Sequence, residues 1–148
     1  KLAVDELVGS SDAGPWLEAL CLLDGFREEQ IMPMLRQYRA SIANGSVEAL
    51  EGLGSEKDLA EARVVKEQLV AQRMARWDWK DGQYVLAPSI QPVLAYYLET
   101  QKPKVARHLH QQAQQIYARL NADYPNDYYA QQATYHAERA NPAEEVIV

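Results

Sequence analysis

The sequence predicts a mainly α-helical fold in which three helices are closed by a lone two-stranded β-hairpin, followed by one more helix and an antiparallel helical hairpin. Three observations carry this. Apolar residues recur at three- and four-residue steps along most of the chain, the period of a helix with one buried side. The stretch with strand character, Ala75 to Leu86, is split by Asp81-Gly82. Turn residues such as Gly25, Asn44-Gly45 and Pro125-Asn126 fall between the periodic segments, where chain reversals belong. With 148 residues, 47% apolar and 24% charged, the chain has the size and composition of one folded domain, or of one domain with a small appendage. A large multi-domain enzyme and a disordered polypeptide are both excluded.

Residues 1–10 read as a linker or the tail of a preceding element, and Lys1 in place of methionine as the start of a trimmed or excised chain. Ser10, Ser11 and Asp12 before Pro15 are a helix-start signal. The first helix then runs from about Pro15 to Gly25, with Trp16, Leu17, Leu20, Leu23 and Phe26 on its inner side and Cys21 and Leu22 widening the stripe. The second covers Arg27 to about Ala40 through Ile31, Met34, Leu35 and Tyr38. Pro33 fits it only if the helix begins near Glu29 or Gln30, because proline lacks the amide needed further in. Residues 41–57, rich in Gly, Asn and Ser, are a connection with one helical turn over Val47 to Leu50. Ser55 followed by Glu56 and Asp58 caps a third helix, Glu56 to Met74, with Leu59, Ala62, Val65 and Leu69 inside.

Ala75 to Lys80 and Gln83 to Leu86 are β-prone runs separated by Asp81-Gly82, the signature of a type I′ hairpin, in which both central residues need positive φ. Trp77 and Trp79 lie two apart and share a face of this ribbon, with Tyr84 or Leu86 opposite. Ser89 caps a fourth helix with Pro92 in its first turn and Ile90, Val93, Leu94, Tyr97 and Leu98 buried. A long helix from about Pro103 to Asn121 carries Val105, Leu109, Ala113, Ile116 and Leu120 inward, and a last helix covers about Asp127 to Ala140. Gln111, Gln112, Ala113, Tyr117 and Arg119 are echoed by Gln131, Gln132, Ala133, Tyr135 and Arg139. A single echo at about twenty residues is too short for a tetratricopeptide unit and reads as a helical hairpin with similar faces. Residues 11–100 form the first domain, 101–141 the helical hairpin, and 142–148 a frayed or tethered tail.

The formal charge of −6 argues against generic binding to a nucleic-acid backbone, which needs clustered Lys and Arg. It is unevenly placed, at −7 over residues 1–62, +4 over 63–107 and −3 over 108–148. A single cysteine, Cys21, excludes an intramolecular disulfide and suits a reducing compartment. No apolar run approaches the roughly 18 residues of a membrane span, so the expectation is a cytoplasmic protein without membrane contact.

Three helices followed directly by a hairpin is the order of a winged helix, whose ribbon is the wing. The chain also resembles the winged-helix region of the signal-transducing ATPases called STAND proteins, which include the NACHT and NB-ARC groups. Trp16-Leu17-Glu18-Ala19-Leu20, Leu23-Asp24-Gly25-Phe26, the wing end Tyr84-Val85-Leu86, the helix Ser89 to Leu98, and His108-Leu109-His110-Gln111-Gln112-Ala113 carry the resemblance, over about residues 12–140. It implies a winged helix that follows a nucleotide-binding region and precedes a helical repeat array, of which the last two helices would be the start. In many such proteins the residue closing the wing is followed by His-Asp, and that histidine touches bound ADP. Here the sequence reads Leu86-Ala87-Pro88, and alanine offers no donor to a phosphate.

The chain contains neither Gly-x-x-x-x-Gly-Lys nor Gly-x-Gly-x-x-Gly, so no catalytic residue, cofactor or metal is expected in it. His108 and His110, two apart on a helix, point to different sides and make a poor ligand pair. His136 reads as a partly buried, hydrogen-bonded residue, and Cys21 as a packed small side chain. The acid pairs Glu28-Glu29 and Glu144-Glu145 read as solvated. Trp77, Trp79, Tyr84, Tyr128 and Tyr129 are the candidates for packing against a partner or neighbouring domain, the plainer reading being that they pack the fold itself. Tyr135 stands with the last two. The leading expectation is a non-catalytic coupling module. The alternative is a DNA-binding regulator presenting Arg63, Lys66, Gln68, Arg73, Arg76 and Lys80, against which stand Glu67, Asp78 and the acidic remainder.

Overall fold

A computed structural model of the chain describes residues 13–50 and 52–141. The linker, the Ser10–Asp12 helix start and the C-terminal tail lie outside them. Six helices and a two-stranded antiparallel sheet make up the described part: α1 Ala13–Leu20, α2 Glu28–Ile42, α3 Glu56–Ala71, β1 Ala75–Asp78, β2 Gln83–Leu86, α4 Gln91–Gln101, α5 Pro103–Asp123 and α6 Asp127–Ala140. The fold is thus mainly helical with one ribbon, as the periodicity predicts.

α1 stops at Leu20, five residues short of Gly25. Cys21, Leu22, Leu23 and Phe26 stay buried but leave the helix because Phe26 is captured by the ribbon. Its amide donates to the Tyr84 carbonyl and its carbonyl accepts from the Tyr84 amide, both at 2.8 Å. That bridge ends in the extended Arg27, which caps α2, its amide donating to Gln30 Oε1 at 2.8 Å. α2 therefore begins at Glu28, earlier than Pro33 suggests. The proline sits buried at the sixth helical position, and the helix forgoes the bond that residue's amide would have donated.

No helical turn forms over Val47 to Leu50. The buried Gln37 satisfies this segment instead, accepting from the Glu48 amide at 2.6 Å and donating to the Ser46 carbonyl at 3.3 Å. α3 starts where expected, with Ser55 Oγ accepting from the Asp58 amide at 3.2 Å. Ala62, Val65 and Leu69 are buried, whereas Leu59 is half-buried. α2 and α3 are cross-linked by a two-pronged Arg36–Asp58 pair at 2.9 and 3.0 Å and by Glu28, which meets both Arg63 and Lys66.

The ribbon pairs Ala75 with Leu86 and Trp77 with Tyr84. A two-residue Asp81-Gly82 turn would have paired Trp79 with Tyr84. The loop instead has four residues, Trp79 to Gly82, closed by the Gly82 amide on the Asp78 carbonyl at 2.9 Å. Gly82 has positive φ (+65°) and Asp81 does not, so the turn is not type I′. Asp78 Oδ1 draws in the Lys80 amide at 3.1 Å, and the two-residue shift keeps the paired strand residues on their expected faces but puts Trp79, expected on the ribbon beside Trp77, into the loop.

Ser89 does not cap α4. The helix begins two residues later, after the uncapped Ile90, with Pro92 in the first turn. It buries Leu94 and Leu98 fully in the core, with Ala95 packed half-buried beside them, leaving Tyr97 half-buried and Val93 exposed. α5 and α6 fold back on each other across a three-residue turn capped by Asn126, whose side chain accepts from the Tyr129 amide at 2.8 Å. α5 also packs on α2, so the hairpin shares the core of the helices before it.

Both α2 and α3 end in a Schellman arrangement. At α3 the Met74 amide reaches the Leu69 carbonyl at 2.8 Å and the Arg73 amide that of Val70 at 3.0 Å, which forces Arg73 to φ +62°. An arginine there carries the steric cost that glycine avoids. Arg73→Gly is therefore expected to raise stability by about 0.5–1 kcal/mol, as read by urea denaturation.

Candidate functional site

The aromatic residues singled out in the sequence fall into two groups that a single polar contact joins. On the ribbon, Trp77 meets Tyr84 edge-on at 4.9 Å between ring centroids, and Tyr84 stacks on Phe26 at 6.1 Å. Tyr84 is half-buried against the core. Trp79 lies in the loop, 88% exposed, with its ring edge on Trp77 at 5.9 Å. On the hairpin, Tyr128 and Tyr129 are half-buried against Tyr117, with centroids 6.2 and 6.1 Å away. Tyr135 is more exposed and carries the Arg139 guanidinium over its ring at 3.8 Å.

Between the groups stands Gln83, buried on β2 beside Tyr84. Its Nε2 donates to the Tyr128 hydroxyl at 3.2 Å, and that hydroxyl also faces Asp24 Oδ2 at 3.5 Å. Tyr117 Oη donates to the Gly25 carbonyl at 3.4 Å. Gly25 is small because Gln83 demands it: a methyl group there would collide with the Gln83 amide. Burial pushes the Tyr128 hydroxyl above its usual range, so it stays protonated and available as both donor and acceptor. Sequence reading missed this junction, since Asp24, Gln83 and Tyr128 are brought together only by the fold.

The candidate cations divide. Arg63 and Lys66 are tied to Glu28, and Lys66 Nζ lies over the Tyr84 ring at 5.3 Å. Arg73, Arg76 and Lys80 are exposed at the end of α3 and on the ribbon and make no ion pair among the described residues. Gln68 is exposed on α3, next to Glu67.

Two further features carry no obvious sequence signal. The outer face of α4 is apolar: Pro92, Val93, Tyr96, Tyr97 and Thr100 line a shallow recess of about 450 Å³, and Tyr96 is 71% exposed. Beneath the same helix lies a buried carboxylate, Glu18. Its Oε1 accepts from the Tyr38 hydroxyl at 2.9 Å and from Lys102 Nζ at 3.2 Å, while Lys102 also caps the Tyr97 ring at 5.6 Å. Burial, with Glu18 beside it, drives the Tyr38 hydroxyl and the Cys21 thiol well above their usual ranges. Cys21 is thus a buried thiol whose sulfur leans on the Glu18 carbonyl at 3.3 Å, as its apolar setting suggests.

The histidines are separated as the helical spacing requires. Gln37 donates to Ser41 Oγ, which also shares a hydrogen bond with His108 Nδ1 at 2.9 Å. His110 turns the other way, to His136, which is fully buried instead of partly so. Among the described residues no three His, Cys, Asp or Glu side chains are grouped to hold a metal ion, and no helix is long and apolar enough to cross a membrane.

Comparison with protein-family models, with curated proteins and with solved structures finds no match to this chain.

The Glu18 cluster yields a quantitative expectation. Removing the ammonium strands a buried carboxylate, although Lys102 is partly hydrated and its loss is softened accordingly. Lys102→Met should cost about 2 kcal/mol, and Glu18→Gln combined with it should recover most of that in a double-mutant cycle followed by thermal unfolding.

Proposed function

We propose that this chain is a non-catalytic coupling module: a winged helix whose final helices begin a repeat array, working inside a larger signal-transducing ATPase of the STAND class. The observation that carries the reading is the junction at Tyr128. One hydroxyl on α6 reaches Gln83 on the ribbon and Asp24 in the α1–α2 connection, so displacing the hairpin relative to the ribbon must break these bonds. A joint that passes motion between neighbouring regions needs such a contact, made in one state and lost in another.

Other features support it. Phe26 pairs with β2 between α1 and α2, giving the ribbon a third, one-residue strand on the side away from β1, as a wing packed on its helices would have. The apolar recess on α4 and the exposed Trp79 offer surface for neighbouring regions, since contiguous apolar patches on a small fold commonly mark contacts. Ala87 and Pro88 follow the wing, so any nucleotide-dependent contact would have to be made by other residues.

In the protein with its native flanking sequence, amide exchange in α4, β2 and α6 should differ between ADP and a non-hydrolysable ATP analogue, and Tyr128→Phe should reduce that difference. Identical protection in the two nucleotide states would remove the coupling role.

The second reading, a DNA-binding regulator, is favoured by Arg73, Arg76 and Lys80 lying exposed at one end of α3 and on the ribbon. Against it, Arg63 and Lys66 are already engaged by Glu28. Titrating duplex DNA at low and moderate salt separates the readings. Micromolar binding with a steep salt slope, lost in Arg76→Ala, would favour the regulator, and no binding at low salt is the outcome expected of the coupling module.

A further inference from the structure

His110 on α5 and His136 on α6 meet Nδ1 to Nδ1 at 2.8 Å, with 3% and 0% of their surface exposed. Neither nitrogen faces water, and the His136 ring stacks on Tyr117 at 5.7 Å with 4° between planes. Such a contact needs one N–H and one lone pair, so a proton lies on one Nδ1 and is absent from the other. Two neutral rings meet this condition, one protonated at Nδ1 and the other at Nε2. A third proton also leaves the N–H···N bond intact but buries a cation. A fourth sets two N–H groups and two like charges against each other at contact distance.

We propose that the His110–His136 pair is a proton-sensitive latch of the helical hairpin, holding α6 on α5 while the two rings share one bridging proton and releasing it as further protons enter.

The charges around the pair decide its sensitivity. From α4, the Glu99 carboxylate approaches His110 Nε2 at 3.6 Å and favours a cation there. From α6, Arg139, held over the neighbouring Tyr135 ring, opposes one. Tyr117 and Tyr135 contribute uncharged ring faces. Burial outweighs the carboxylate: both histidines are harder to protonate than usual, and His136 is brought down to about 3. The released hairpin exposes both rings, which then take up protons near the ordinary value of about 6.5. A histidine depressed in the closed form makes that form weaker as pH falls below the ordinary value, and leaves it at full strength above. Release also uncovers Tyr117, Tyr128 and Tyr129 and breaks the Gln83–Tyr128 bond, so the latch would set whether the ribbon and hairpin move together. The inference stands on the hairpin alone and survives if the coupling role fails.

Two measurements test it on the whole chain. Nitrogen-15 NMR at pH 7.5 should show a scalar coupling across the N–H···N bond between the two rings; its absence would overturn the pairing. Hydrogen exchange, corrected for intrinsic rate, should show protection in α6 falling at least about thirtyfold between pH 6.5 and pH 5, from one net proton at tenfold per pH unit, while α3 changes far less. His136→Asn places an amide where Nδ1 was and removes one of the two titrating rings, so its fall in protection should be clearly smaller than that of the wild type, with His110 supplying what remains. An equal fall in this variant, or wild-type protection that is flat over the range, would overturn the latch. If the variant does not fold, the wild-type coupling and exchange profile decide by themselves.

Discussion

The two hydrogen bonds between Phe26 and Tyr84 are the constraint on which the remaining geometry rests. They end α1 early, hold residues 21–26 against the core, and set the direction in which α2 departs from Arg27. Because both of Tyr84's backbone groups are spent on Phe26, its pairing with Trp77 across the ribbon is a non-hydrogen-bonded one, the kind that brings side chains closest. The same bridge carries Gln83 over Gly25 and within reach of Tyr128. An isolated two-stranded ribbon is marginal in water, and this one is fastened at its middle to the helical layer.

Around that bridge the helices are keyed to one another by buried polar groups as much as by apolar ones. Glu18 binds Tyr38 and Lys102, Gln37 holds the connection after α2, Ser41 meets His108, and His110 meets His136. Apolar contacts tolerate sliding, whereas a hydrogen bond in a low-dielectric interior is lost at nearly full cost when its partner moves. These contacts join α1 to α2 and to the α4–α5 corner, α2 to α5, and α5 to α6.

Several of the cations are paired across the α2–α3 interface. Glu28 and Asp58 neutralise Arg63, Lys66 and Arg36 across the α2–α3 interface, so the basic stretch seen along the sequence does not form one basic surface. Among the exposed features are the apolar side of α4, Trp79 in the ribbon loop, and the cations Arg73 at the end of α3 and Arg76 and Lys80 on the ribbon.

The helices and the ribbon were legible in the sequence because their signals are local: a three-to-four residue apolar period, Ser55 at a helix start, Pro125-Asn126 between helices, and Gly82 at a reversal. The inward positions of α3 and α5 followed from the same period. What the sequence misplaced was decided by contacts between distant residues. α1 ends at Leu20 because Phe26 pairs across to Tyr84, Val47 to Leu50 forms no helical turn because Gln37 binds the backbone at Ser46 and Glu48, and the ribbon loop has four residues because Asp78 binds back into it. Strand alternation put Trp77 on the face of Tyr84 or Leu86, but the expected turn would have set Trp79 opposite Tyr84, and the four-residue loop set Trp77 there instead. The Tyr128 junction, the Glu18 cluster and the His110–His136 pair could not be seen, since each joins side chains from separate helices or from a helix and a strand. Periodicity tells which side of a helix faces inward, but the residue it meets there depends on how the helices cross, and that is fixed only when the whole core closes.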